Sequence, residues 1–147
     1  MWSWDIEDDL KSCSNFLGCF PLDQLPSFPK RLPASMIINT DTSNENGDHW
    51  LGLILNKKKC FYFDSFGLSI IDEAIVNYLK PYYKIVTYSN VCIQHIGSEK
   101  CGKFCIAFIK YVKNKSSYEN FISHFDHYDI KRNDIIIENL NNHILVN

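Results

Sequence analysis

The chain has 147 residues, of which 46% are hydrophobic and 22% are charged. This size and composition are typical of a globular protein that buries one core, so we expect a single domain over residues 1–147. Its 15 basic and 17 acidic residues give a formal charge of -2, so no overall positive field attracts nucleic acid. Local clusters of lysines would allow contacts with nucleic acid, but they are not evidence for such contacts.

The N-terminal segment, MWSWDIEDDLKS, is acidic where a secretory signal needs a basic flank followed by an apolar run. The sequence also has no continuous apolar run long enough to span a bilayer. We therefore expect a protein that is not secreted and has no transmembrane segment. In such a chain, cysteines are expected to be free thiols in a reducing compartment. There are six: Cys13, Cys19, Cys60, Cys92, Cys101 and Cys105.

The first part of the chain contains few core signals. The proline-rich stretch over residues 21–33 predicts an extended surface segment, and the fold is expected to begin in earnest near Met36. The apolar run at 35–39 predicts a strand, and residues 40–48 (TDTSNENGD) predict a polar loop rich in turn-forming residues.

Two apolar runs, HWLGLIL and CFYFD, are joined by the short polar link NKKK, which predicts a β-hairpin. A two-residue turn at Asn56 and Lys57 places His49 directly opposite Asp64. Opposed residues on one face have Cβ atoms about 4.5–5.5 Å apart, so the carboxylate can accept an imidazole N–H. A slip of one residue would put these two side chains on opposite faces of the hairpin.

The second half alternates between helix and strand patterns. Residues 70–83 predict a helix that ends at Pro81, residues 84–88 a strand and residues 102–113 a helix with a wide apolar face. Residues 117–125 and 133–145 predict two further helices, although the isoleucines at 135–137 would also suit a strand. Strands in the middle of the chain with helices around them indicate an α+β domain. The positions predicted to face the core are Ile71, Ile75, Tyr78 and Leu79 in the first helix, and Phe104, Cys105, Phe108, Ile109 and Val112 in the next.

Cys101 is the thiol best placed to be reactive, because it lies at the predicted start of the helix over 102–113. The helix dipole, the unpaired N–H groups of the first turn and a nearby histidine all stabilise a thiolate. Gly102 leaves room for a substrate carbonyl, and the Cys101 amide can donate to an oxyanion. Seven positions earlier, Gln94 is a side-chain donor that can complete an oxyanion hole.

Each of these residues also has an ordinary structural explanation. A histidine beside Trp50 is commonly a packing residue, and a cysteine in an apolar helix is commonly a small core hydrophobe. We assign that core role to Cys105, one turn after Cys101. The pairing of His49 with Asp64 and the thiol at a helix start are independent features that suit one mechanism, which favours the catalytic interpretation.

The ordered motifs from residue 16 to residue 112 resemble those of the adenovirus-type maturation cysteine proteases (the adenain family), which are relatives of the Ulp1-like deSUMOylating enzymes. The matching strings are FLG and LPSFP near the N-terminus, MIINT at 36–40, GDHW at 47–50, CFYFDSFG at 60–67 and IQHIGSEKCGKFCIAF at 93–108. By this resemblance His49 is the catalytic base, Asp64 its acidic partner, Gln94 the oxyanion glutamine and Cys101 the nucleophile. Trp50 and Gly102 would line the substrate cleft.

The resemblance implies a papain-like fold, permuted in chain order, with a mixed central sheet flanked by helices. It also implies a thiol endopeptidase that cleaves capsid or core precursors during virion maturation, acting in the virion and at the site of virus assembly. We expect a monomer that needs no metal or other cofactor. The short length and the lysine- and asparagine-rich composition suggest a virophage, a Maverick-type element or another DNA virus as the source.

The chain also departs from the family pattern. The family has glutamate at the position of Asp64. Cys92 does not match the cysteine that binds an activating viral peptide, so peptide activation is not implied, and the net charge of -2 gives only weak support for stimulation by DNA. Two alternatives remain. One is a Ulp1-like isopeptidase acting on ubiquitin-like conjugates, since the same triad serves both reactions. The other is a non-enzymatic structural virion protein or zinc-binding module, with Cys92, His95, Cys101 and Cys105 as ligands.

Overall fold

The computed structural model describes residues 1–41 and 49–142. Five strands form one mixed sheet in the order β1-β2-β3-β4-β5. The β1/β2 and β4/β5 pairs are parallel, whereas β3 is antiparallel to both of its neighbours. The strands are β1 (Phe16–Pro21), β2 (Ala34–Asn39), β3 (Trp50–Leu55), β4 (Cys60–Phe63) and β5 (Val86–Tyr88).

Helices cover both faces of this sheet. The helices are α1 (Ser3–Leu10), α2 (Glu73–Leu79), α3 (Cys101–Tyr111), α4 (Lys115–Ser123) and α5 (Asn133–Asn141), with 3₁₀ turns at Leu22–Gln24 and Ile130–Arg132. One apolar cluster joins one face of the sheet to α1, α3, α4 and α5, and a second joins the other face to α2. Because both faces are buried, β2, β3 and β4 are almost continuously apolar rather than alternating. These features confirm the predicted α+β class with a mixed central sheet and flanking helices.

The helix α3 is the central helix of the first cluster and fixes the position of Cys101. Phe104, Cys105 and Phe108 are fully buried, and Ile109 and Val112 are nearly so, which confirms the predicted apolar face. The helix approaches β3 closely at Gly52, where an added Cβ would lie 2.5 Å from the Phe108 ring. The missing side chain therefore lets α3 pack directly against the strand that follows His49.

The expectation that the fold begins near Met36 is wrong. Helix α1 and strand β1 precede it, and Ile6 and Leu10 of α1 are completely buried in the cluster around α3. Both elements are weak in the sequence, since half of the residues of α1 are acidic and β1 contains Gly18 and ends in a proline. The polar loop predicted at 40–48 lies largely outside the described residues.

The helix predicted over 70–83 is shorter than expected. It begins only at Glu73, and Ile71 lies before it with 82% of its surface exposed. Ile75 and Leu79 are buried as predicted, and Tyr78 is partly buried in the same cluster. The strand predicted at 84–88 and the helices predicted at 117–125 and 133–145 correspond to β5, α4 and α5, although positions 143–145 lie outside the described residues.

Within the two described ranges, 1–41 and 49–142, no helix combines the length and apolar character needed to cross a bilayer.

Candidate active site

The hairpin β3–β4 has a different register from the one predicted. Leu55 pairs with Cys60 and Gly52 with Phe63, and the N–H of Asn56 donates to the carbonyl of Lys59 at 2.9 Å. The turn is therefore at Lys57 and Lys58, one position later than expected. The pairing shifts by two residues as a result, so the prediction that His49 lies directly opposite Asp64 is wrong.

His49 and Asp64 nevertheless meet, because a two-residue shift keeps residues on the same face of a ladder. His49 immediately precedes β3 and Asp64 immediately follows β4, so both lie at the same end of the hairpin. The His49 Nε2 atom is 2.9 Å from Asp64 Oδ1. Phe66 stacks on the imidazole with ring centroids 4.8 Å apart. The sequence thus predicted the contact correctly from an incorrect register.

Asp64 is fixed from two directions. Besides contacting His49, its Oδ1 accepts a hydrogen bond at 2.8 Å from the backbone N–H of Phe66. Its own carbonyl accepts from the N–H of Gly67 at 2.8 Å, which closes a tight turn over 64–67. Gly67 has a φ of +75°, and an added Cβ would lie 2.6 Å from the backbone of Val91. The turn that holds Asp64 is therefore packed directly against the segment that leads to Gln94.

Cys101 lies at the N-terminus of α3, and its side chain is hydrogen-bonded to His49. Since Asp64 holds Nε2, the other ring nitrogen, Nδ1, is left to face the thiol. Backbone N–H groups of Trp50 and Gly102 also donate to the sulfur. The structure therefore brings together the three side chains predicted to form the triad, in the order Asp64, His49, Cys101.

The contacts among Asp64, His49 and Cys101 favour a charged thiolate and imidazolium over a neutral thiol and imidazole. Burial opposes ionisation of Cys101, but the hydrogen bond with His49 and those from the two backbone amides lower the pKa of the thiol below its ordinary value. Burial alone would likewise lower the pKa of His49, yet its hydrogen bonds to Asp64 and Cys101 raise that pKa to about 9. A thiolate–imidazolium pair is the form that these partners stabilise near neutral pH.

In several other cysteines the pKa of the thiol is raised, whereas that of Cys101 is lowered. Burial raises the pKa of Cys60 to about 12, and burial together with the charge of Glu7 does the same for Cys19. Cys105 is fully buried, and its pKa lies well above the ordinary value because of that burial. Cys105 is thus the core thiol that was predicted, and all six cysteines are free.

Gln94 is 2% exposed and lies in the irregular segment before α3. Its amide nitrogen Nε2 donates to the carbonyl of Ser98 at 3.0 Å, and its Oε1 accepts from the hydroxyl of Ser65. The role of Ser65 was not predicted. The only sequence signal was its position next to Asp64, and a serine in a turn is ordinarily a local hydrogen-bonding residue.

The two residues predicted to line the cleft have different surroundings. Trp50 is partly buried and borders a hollow of about 300 Å³ that Met1, Trp2, Ser3 and Asn39 also line. At Gly102, however, an added Cβ would lie 2.6 Å from the sulfur of Met1 and 3.3 Å from Ile6. The glycine therefore admits close packing of the N-terminal segment, a role different from the predicted space for a substrate carbonyl.

The predicted zinc ligands do not form a cluster. Cys92 donates to the carbonyl of Gln94, and His95 Nδ1 accepts from the N–H of Gly97. Among residues 1–41 and 49–142, no three histidine, cysteine, aspartate or glutamate side chains are grouped so as to hold a metal ion. Cys101 is instead engaged with His49, so the geometry gives the zinc-binding alternative no support.

Comparison with known proteins agrees with the resemblance carried by the sequence motifs. The family model described as adenovirus endoprotease matches residues 16–86, a range that contains His49 and Asp64. The protease of human adenovirus B serotype 3 is 30% identical over 128 residues, covering 70% of this chain and 60% of that protein. The protease of human adenovirus E serotype 4 is 36% identical over 73 residues, covering 43% of this chain and 36% of that protein.

Among solved structures, a protease of African swine fever virus (ASFV) superimposes with a TM-score of 0.45 and 18% identity, covering 77% of this chain and 45% of that one. The match to the serotype 3 protease spans three-fifths of that relative's length. The family model and the two adenovirus proteases agree with the resemblance: this chain is similar to the proteases of the adenovirus endoprotease family.

Proposed function

We propose that this chain is a cysteine protease that cleaves peptide bonds through a thioester intermediate. The observation that carries the proposal is the hydrogen-bonded series Asp64, His49, Cys101, with the thiol at the start of a buried helix. Support comes from the opposite directions of the two pKa changes, since the Cys101 pKa is lowered and the His49 pKa is raised. A nucleophile and a proton donor are therefore both charged before substrate binds.

In the proposed reaction, the Cys101 thiolate attacks the carbonyl carbon of the scissile bond, forming an S–C bond while the carbonyl electrons move onto oxygen. The backbone N–H of Cys101 and the Gln94 amide stabilise that oxyanion. Collapse breaks the C–N bond, and the His49 imidazolium gives its proton to the departing amine. Water, deprotonated by His49, then attacks the thioester carbonyl. The C–S bond breaks, the acyl group leaves as a carboxylic acid, and Cys101 returns to the thiolate.

Asp64 does not exchange a proton in this scheme. Its carboxylate holds His49 in one orientation and stabilises the imidazolium. These groups supply nucleophile, acid and oxyanion donors, so the reaction needs no metal or organic cofactor. Trp50 would form part of the wall beside the sulfur, since its backbone N–H already contacts Cys101.

The proposed substrates are viral capsid or core precursor proteins, cleaved in the virion or at the site of assembly. This part rests on the relationship to adenovirus proteases. The active unit is proposed to be a monomeric domain. A net charge of -2 gives no support for stimulation by DNA, and adding DNA or candidate viral peptides to the assay tests for an activator.

The proposal is tested by incubating the protein with denatured viral precursor proteins and sequencing the new N-termini. Wild type and Cys13→Ala should produce the same cleavages, because Cys13 is a partly buried thiol in the connection after α1. Cys101→Ala should produce none. Cleavages that survive Cys101→Ala would refute the assignment, and activity confined to the isopeptide bond of a ubiquitin-like conjugate would favour the isopeptidase.

A further inference from the structure

The side-chain amide of Gln94 is held from both ends. Its Nε2 lies 3.0 Å from the carbonyl oxygen of Ser98. A carbonyl can only accept, so the nitrogen end of the amide must face Ser98. The oxygen end then faces Ser65, whose hydroxyl donates to Oε1. Both Gln94 and Ser65 are excluded from solvent, at 2% and 0% exposure, so water cannot replace either partner without rearrangement.

The Ser65 backbone holds the same segment. Its carbonyl oxygen accepts from the N–H groups of Ile93 and Gln94 at 2.9 and 3.0 Å. Ser65 therefore contacts Gln94 through its main chain and through its side chain. It is also the residue immediately after Asp64, so one turn fixes the partner of His49 and the orientation of the Gln94 amide together.

The other partner, Ser98, is anchored independently. Its hydroxyl donates to Asp134 of α5 at 2.8 Å, and its N–H donates to the carbonyl of His95 at 2.8 Å. One of the two Nε2 hydrogens of Gln94 is donated to the Ser98 carbonyl. The second hydrogen is the one left for an oxyanion, and its direction depends on the amide not rotating about its last bond.

We propose that Ser65 is a positioning residue that, with the Ser98 carbonyl, locks the Gln94 amide so that its second Nε2 hydrogen serves the oxyanion hole. This inference rests on the proposed function, since it assigns Ser65 a part in acyl transfer at Cys101. Without the Ser65 hydroxyl, the Gln94 Oε1 is a buried acceptor with no hydrogen-bond partner, which costs free energy. The amide can lower that cost by rotating or shifting until Oε1 accepts from another donor.

The test separates thiolate reactivity from oxyanion stabilisation. Alkylation of Cys101 by iodoacetamide is a displacement at saturated carbon that forms no oxyanion, so it reports the thiolate alone. Acylation by p-nitrophenyl acetate forms an S–C bond, develops an oxyanion and expels p-nitrophenolate. We expect Gln94→Ala to slow acylation on the order of 100-fold and Ser65→Ala about tenfold, with alkylation of Cys101 unchanged in both.

The double variant and a matched serine refine the test. If Ser65 acts through Gln94, Ser65→Ala combined with Gln94→Ala should acylate no more slowly than Gln94→Ala alone. Ser89→Ala is the matched control, because Ser89 Oγ accepts from the N–H of Val91 and so holds the same segment without touching the Gln94 side chain. Its acylation rate should stay within about twofold of wild type.

NMR of the Gln94 side-chain amide tests the role of Ser65 without relying on activity. In ¹⁵N spectra, the two Nε2 hydrogens of Gln94, identified by their loss in Gln94→Ala, should exchange slowly with solvent in wild type. In Ser65→Ala they should exchange faster, and their chemical shifts should move toward those of an unrestrained glutamine amide. Unchanged Gln94 signals or unchanged acylation in Ser65→Ala would overturn the role of Ser65. If the Gln94 signals change in this way in Ser65→Ala but wild type is never acylated, the role of Ser65 in holding the amide stands and the proposed protease function is refuted.

Discussion

Replacing Asp64 with asparagine should lower the pKa of His49 and uncouple it from Cys101. The change keeps the size of the side chain and an oxygen that can accept from Phe66, but it removes the negative charge 2.9 Å from Nε2. The pKa of His49 is about 9 against an ordinary value of 6.5, a preference for the imidazolium of ~3 kcal/mol. The interactions of His49 with Asp64 and with Cys101 together produce that preference.

With one of the two anionic partners removed, we expect the pKa of His49 to fall by about 1–3 pH units. Burial, which lowers the pKa of the imidazole because the His49 side chain is only 16% exposed, is then opposed by Cys101 without the help of Asp64. The pKa of Cys101 should rise in turn, because the imidazolium that stabilises the thiolate forms less readily. The assay is an NMR titration of the histidine Cε1–H signals, which requires no substrate.

Stability should follow the same linkage. The folded-state pKa of His49 lies above its unfolded value, so this interaction stabilises the fold fully below pH 6.5 and is lost as pH rises to about 9. Urea unfolding of wild type should show that loss, and Asp64→Asn should show much less of it. Asp8→Asn is the control, because Asp8 pairs with Lys11 on the surface. A His49 titration that is the same in wild type and Asp64→Asn would refute the electrostatic role of Asp64.

Three packing predictions concern the elements that hold the site. Gly52→Ala should destabilise the fold by about 1–3 kcal/mol in urea unfolding, because its Cβ would lie 2.5 Å from the Phe108 ring; a cost below ~0.5 kcal/mol would contradict the close approach of α3. Gly67→Ala should cost at least ~1 kcal/mol and slow acylation of Cys101, because its φ is +75° and Val91 fills the space; unchanged acylation would separate this turn from the site. Phe104→Ala should cost about 3–5 kcal/mol, since the ring is fully buried, and a much smaller value would show that the core around α3 collapses to fill the space.

The parts of the fold that sequence patterns predicted best are those with strong apolar periodicity. Helix α3 shows this, because Phe104, Phe108 and Val112 recur at helical spacing and all three are buried. Helix α1 shows the opposite case. Only Ile6 and Leu10 are buried in it, and an acidic segment with two buried apolar positions carries too little periodic signal to be distinguished from a surface loop.

In the active site, an error in the predicted hairpin register did not change which two side chains meet. The hairpin turn was placed one residue too early because NKKK contains no residue that demands a particular turn geometry. The resulting two-residue shift preserved the faces, so His49 still reached Asp64. The contacts of Ser65 and Gly102 could not be predicted, because they depend on how the 64–67 turn and the N-terminal segment pack against distant parts of the chain.

The central claim, that His49 activates Cys101 as a thiolate, is tested most directly by alkylation of each cysteine at a series of pH values. Mass spectrometry reads every site in wild type and in His49→Ala. We predict fast labelling of Cys101 that persists well below the ordinary thiol pKa and is lost in the variant, while Cys105 stays unlabelled because it is fully buried. Slow labelling of Cys101 with an ordinary thiol midpoint, unchanged by His49→Ala, would contradict the account.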